Sequence, residues 1–147
     1  MKLFSRIVGE GRPLIILHGL FGMSDNWLTH ARHYAELGFE VHTLDQRNHG
    51  QSAHSTDFSY QIMAEDVQEY MDDHSIEKAC ILGHSMGGKV AMLFACQHPE
   101  KVEKLLVIDI APKAYPIHHQ VYIDAMRTLD FELLKSRSEA DRALGKH

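Results

Sequence analysis

The sequence predicts an α/β fold, an open and mostly parallel sheet with helices on both faces. Short apolar runs alternate with longer stretches of helical spacing, which is the rhythm of βαβ units. The runs are continuous rather than alternating, as in strands buried on both sides. Leu14-Ile15-Ile16-Leu17 is the clearest strand, entered through Pro13 and left at Gly19. Phe39 to Leu44, Ala79 to Leu82 and Lys104 to Ile108 repeat it. Residues 2 to 8 read as an additional strand leading in through the turn Gly9-Glu10-Gly11. Between the strands lie three helical stretches. Asn26 to Leu37 carries Trp27, His30, Ala31 and Tyr34 at helical spacing, Tyr60 to Met71 follows, and Gly87 to Gln97 is stopped by His98-Pro99. Right-handed crossovers then put a ligand site outside the carboxyl ends of the strands.

After Pro112 the character changes. Ile117 to Leu134 and Ser138 to Leu144 are amphipathic helical pieces with no strand between them. The reading is therefore a core over 1–112 and the beginning of a helical cap or lid over 113–147. A C-terminal helix pair packed on the sheet fits the same pattern.

With 147 residues, 44% hydrophobic, the chain can bury a sizeable core. Its 15 Lys and Arg against 20 Asp and Glu give a net charge of −5 without a basic block. That charge disfavours nucleic acid or an anionic membrane as a partner. No apolar run approaches the roughly 18 residues of a transmembrane helix, and the first residues hold no long apolar leader, so a cytoplasmic protein is expected. Cys80 and Cys96 each lie in an apolar stretch and read as small buried residues rather than a disulfide or a metal pair. The 12 histidines are scattered, mostly surface residues, and form no metal-ligand spacing. Neither metal nor cofactor is expected.

Chemistry concentrates in Gly83-His84-Ser85-Met86-Gly87, a G-x-S-x-G between an apolar strand and a helix. That frame is what a nucleophile elbow needs. The turn is tight enough to strain the serine backbone, and Gly83 and Gly87 remove the side chains that would collide. The following helix points its N-terminus at Ser85, favouring negative charge there. Upstream, His18-Gly19-Leu20-Phe21-Gly22 follows the strand Leu14 to Leu17, and this glycine-rich turn leaves N–H groups free to face Ser85. The backbone N–H groups of Leu20 and Met86 are assigned to an oxyanion hole, with Gly19, Gly22 and His84 supporting the loop and elbow. His18 reads as a residue shaping the loop. Asp45-Gln46-Arg47-Asn48-His49-Gly50-Gln51-Ser52 closes the next strand. A self-paired loop accounts for it, and a catalytic role for Asp45 or His49 is the alternative. A rival reading takes Gly83 to Val90 as a P-loop with Leu105 to Asp109 as its acidic strand, but Val90 stands where a magnesium-binding hydroxyl is required.

These motifs, in this order and spacing, resemble the α/β-hydrolase superfamily. His-Gly-Leu-Phe-Gly at 18–22, Arg-Asn-His-Gly-x-Ser at 47–52 and Ile108-Asp109-Ile110-Ala111-Pro112 are similar to the esterase branch that includes the bacterial YbfF-type acyl esterases. The resemblance implies a serine hydrolase acting on small acyl esters or thioesters, with Ser85 as nucleophile and Asp109 as acid. Capping the chain's exit into the lid is the structural alternative for Asp109.

The family histidine lies beyond the cap, after two further strands. His118, His119 and His147 do not match its place. The resemblance thus covers an N-terminal portion, with the C-terminal half of the fold missing and activity of the 147 residues impaired. The strand Lys104 to Ile108 is then expected to be an open sheet edge, through which, or through the lid helices, the chain could self-associate. The alternative function is a non-catalytic hydrolase-like binding or assembly module.

Overall fold

Leu14 to Leu17 is fully buried because it lies in the middle strand of the sheet, with parallel neighbours on both sides. The structure is a computed structural model that describes residues 1–115, 120–130 and 132–145. The chain divides into two compact units, Met1–Pro112 and Lys113–His147. The first holds β1 (Ser5–Val8), β2 (Arg12–Leu17), α1 (Leu28–Glu36), β3 (Phe39–Leu44), α2 (Tyr60–Asp73), β4 (Ala79–His84), α3 (Met86–Gln97) and β5 (Val102–Ile108). The sheet order is β1-β3-β2-β4-β5, parallel throughout except for β1, which pairs antiparallel with β3.

Successive side chains of a strand face opposite ways, so each run feeds two cores. Ile15, Leu17, Leu44 and Ile81 pack under Met63, Val67 and Met71 of α2 and Val90 and Phe94 of α3. Leu14, Ile16, Val41, Cys80 and Leu82 pack against Ala31 of α1, with Trp27 and Tyr34 at the margin. Helices thus cover both faces. The Ser59 hydroxyl caps α2 by accepting the Ile62 N–H at 3.3 Å. Registers Leu17↔Leu44 and Leu17↔Gly83 bring the carboxyl ends of β2, β3 and β4 level, which sets the loops after them side by side.

Several boundaries differ from the sequence reading. The stretch from Asn26 divides into a 3₁₀ turn, Ser24–Trp27, and α1 proper. The lead-in strand is shorter, since pairing with β3 begins at Ser5. Cys80 is buried as expected, whereas Cys96 is exposed, because it falls on the solvent side of α3 opposite the Val90, Ala91 and Phe94 stripe. Among the nine described histidines, His18 and His42 are buried.

β5 is the outer strand, and Leu105, Leu106 and Ile108 are 38%, 43% and 39% exposed. Leu105 alternates in direction with the other two, so both faces of this strand lack cover.

The second unit contains α4 (Gln120–Arg127) and α5 (Arg137–Leu144), neither with a buried residue. α4 is shorter than the amphipathic stretch to Leu134, because the Thr128 hydroxyl donates to the Ala125 carbonyl and the chain turns again at Asp130. α5 is capped by Ser136, whose hydroxyl accepts the Glu139 N–H at 3.2 Å.

Candidate active site

A single residue, Ser85, separates β4 from α3, and it adopts φ 50° and ψ −115°. A non-glycine residue in this region stores about 1–3 kcal/mol and persists only where its surroundings hold it. They do so here: the Ser85 N–H donates to the Ile108 carbonyl at 3.0 Å, and the Ser85 carbonyl accepts the Lys89 N–H at 3.2 Å. Glycines make the turn possible. A Cβ on Gly83 would lie 2.6 Å from the Gly87 carbonyl carbon, and one on Gly87 would lie 2.6 Å from the His18 carbonyl oxygen. Gly88 is equally confined, with Ile110 and Val107 against it. A one-residue turn cannot wrap a phosphate chain, and Val90 is fully buried, so the P-loop reading is set aside.

The second half of the site is the loop after β2. The Gly22 N–H donates to the Gly19 carbonyl at 3.0 Å, and Phe21 takes a left-handed φ of 61°. A Cβ on Gly19 would stand 3.3 Å from the Ser85 Cβ, so this loop and the elbow are in direct proximity. The Leu20 N–H has no hydrogen-bond partner among the described residues. The first N–H groups of α3, beginning with Met86, have none within the helix. Two backbone donors are thereby left open beside the serine.

The loop is held from beneath by the segment after β3. His18 donates from Nδ1 to the Gly19 carbonyl at 2.7 Å and accepts the Gln46 N–H at Nε2 at 3.0 Å. Burial lowers its pKa from 6.5, which keeps Nε2 an acceptor. Asp45, 1% exposed, accepts from the Ser24 and Gln51 N–H groups at 2.6 and 2.8 Å. Its carboxylate is consumed by one amide within the 45–52 loop, that of Gln51, and by one outside it, that of Ser24. Arg47 binds buried Asp66 through Nε and Nη2 at 2.5 and 2.7 Å, and this pairing raises the Arg47 pKa. The self-paired loop expected over 45–52 is corrected in one respect: Arg47 pairs outside it with Asp66 of α2, and Asp45 is taken up by amides.

Asp109 ends β5 with φ 56° and is 86% exposed. Its Oδ2 lies 4.0 Å from Nε2 of His84, the imidazole within ion-pair distance of it among the described residues. His118, His119 and His147 lie outside the described residues.

Residues 12–142 match the family described as alpha/beta hydrolase fold. The chain belongs to the α/β-hydrolase family. It is 40% identical over 137 residues to the sn-1-specific diacylglycerol lipase ABHD11 of Danio rerio, covering 91% of this chain and 43% of that protein. It is 38% identical over 144 residues to an abhydrolase domain-containing protein of Schizosaccharomyces pombe, covering 96% of this chain and 53% of the other. A solved structure titled marine microorganism esterase superposes with a TM-score of 0.94 at 45% identity, over 99% of this chain and 58% of that one. The chain spans about half the length of these relatives and matches the N-terminal part of the hydrolase fold.

In this α/β-hydrolase-fold chain a recess of about 380 Å³ opens beside the loop after β2. Gly19, Leu20 and Phe21 form one side, and Trp27, His30 and His84 line the rest. Sequence reasoning took Trp27 and His30 only as marks of helical spacing. Their periodicity fits α1, and nothing in it signals that the helix start leans over the β2 loop. Among the described residues no helix is long and apolar enough to cross a membrane.

Proposed function

We propose that this chain carries the nucleophile, oxyanion hole and acid of a serine hydrolase that cleaves acyl esters or thioesters, in the manner of the YbfF-type esterase branch. The observation that carries the reading is Ser85 at φ 50° between β4 and α3, with open N–H groups of Leu20 and Met86 beside it. Esterase and lipase relatives support the same chemistry.

In this mechanism the Ser85 hydroxyl oxygen attacks the carbonyl carbon while its proton passes to a general base. The carbonyl oxygen becomes an oxyanion, held by the Leu20 and Met86 N–H groups; loss of one such donor typically costs about 3–4 kcal/mol of barrier. Collapse expels the alcohol or thiol with a proton, leaving an acyl-serine that water hydrolyses. Asp109, at the carboxyl end of the neighbouring strand, orients the base and stabilises its cationic form. The substrate is a small acyl ester or thioester, its acyl group seated in the recess under Trp27. No cofactor enters these steps.

A fluorophosphonate probe tests the reading, because only an activated serine displaces its fluoride at a useful rate. Intact mass should show one adduct, lost in Ser85→Ala. Labelling that survives in Ser85→Ala, or its absence from a chain extended through the family's later strands and histidine, would favour a hydrolase-like binding module without catalysis.

A further inference from the structure

The loop that offers the Leu20 N–H is fastened at one more point. The Phe21 N–H donates to Nε2 of His49 at 3.2 Å, and His49 Nδ1 donates to the Arg47 carbonyl at 2.9 Å. The second bond fixes the tautomer: Nδ1 carries the proton, so Nε2 is the acceptor. Phe21 follows Leu20 directly and holds an unfavourable φ of 61°, so its amide needs an external partner to stay in place. Among the described residues the Phe21 N–H is the hydrogen-bond partner of His49 Nε2. Its ring lies 5.0 Å from His18 and 6.5 Å from Phe58.

We infer that His49 is a positioning residue for the oxyanion hole, holding the Leu20 N–H on target through the Phe21 amide. This rests on the hydrolase reading above. Without the Nε2 acceptor the Phe21 amide loses its partner. The loop then relaxes from its left-handed turn, and Leu20 leaves the position where charge develops. The other titratable and charged groups around this corner are fixed by their own partners. His18 is bound between Gly19 and Gln46, Asp45 between Ser24 and Gln51, and Arg47 points its guanidinium at Asp66. Across the loop, His84 faces Asp109. Loss of the His49 acceptor therefore slows acylation of Ser85 although His49 touches neither substrate nor serine.

The test measures the second-order rate of fluorophosphonate labelling of the 147-residue chain for the wild type, His49→Gln and His49→Ala. Gln can accept the Phe21 amide. The expected result is a rate about 10-fold lower in His49→Ala and near the wild type in His49→Gln. Amide hydrogen exchange at Phe21 gives a readout that needs no reaction, and it should quicken in His49→Ala and return toward the wild type in His49→Gln. A wild-type rate in folded His49→Ala, or slow Phe21 exchange in that variant, would overturn the inference. Labelling that persists in Ser85→Ala would instead overturn the hydrolase reading, and the exchange measurement would still decide the role of His49.

Discussion

The two flanks of Ser85 are built differently. On the β2 side, His18, Asp45, Gln46 and Arg47 are no more than 5% exposed, and each binds a backbone group or a buried ion. On the β5 side, Asp109 is 86% exposed and meets one imidazole at 4.0 Å. The contrast separates two requirements of acyl transfer. Donors for an oxyanion must be fixed before the reaction, since their value lies in costing no reorganisation. An acid that works through an imidazole is organised only when that imidazole is in place. The β2 flank is tied down by buried hydrogen bonds, and Asp109 on the β5 flank is held only by its backbone.

The largest effect should come from breaking the ordered flank. Asp45→Ala strands the buried Ser24 N–H and deprives the Gln51 N–H of its acceptor. Each stranded amide costs about 1–3 kcal/mol, so chemical denaturation should show a loss of about 2–6 kcal/mol. A change below about 0.5 kcal/mol would mean that water serves these amides equally well.

A smaller effect should appear with pH. The pKa values of His18 and His42 lie below 6.5, chiefly because of burial, so the unfolded chain binds protons that the folded chain does not. Stability from these groups is fully present above 6.5 and declines as the pH falls toward their lowered values. His42→Gln, which removes the imidazole between Glu40 and Tyr70, should reduce the slope of unfolding free energy against pH in that window. An unchanged slope would place the proton uptake elsewhere.

The smallest effect belongs to the open flank. Asp109→Asn keeps a residue that tolerates positive φ and removes a solvated carboxylate, so unfolding free energy should shift by less than about 0.5 kcal/mol. A loss above about 2 kcal/mol would show that the carboxylate is structural, in line with a cap on the chain's exit.

Much of this division was legible in the residues. Continuous apolar runs marked β2 and β4 because both faces of these central parallel strands are buried, and the glycines at 83 and 87 marked the elbow because no Cβ fits there. Pairings across the fold were not legible. Nothing in the spacing couples His49 to Phe21 or Arg47 to Asp66, since both depend on how β3 is inserted between β1 and β2. The solvent exposure of Cys96 was hidden for a related reason: its neighbours are apolar, but α3 buries only one stripe of them.

The central claim is that the Leu20 and Met86 N–H groups are aligned on the charge formed at Ser85. A crystal structure of the phosphonylated chain measures this directly, since the phosphoryl oxygen stands where the oxyanion forms. The account predicts that oxygen at about 2.7–3.1 Å from both nitrogens, with the loop 18–22 unmoved. A phosphoryl oxygen turned to solvent, or a Leu20 N–H directed away from it, would contradict the account.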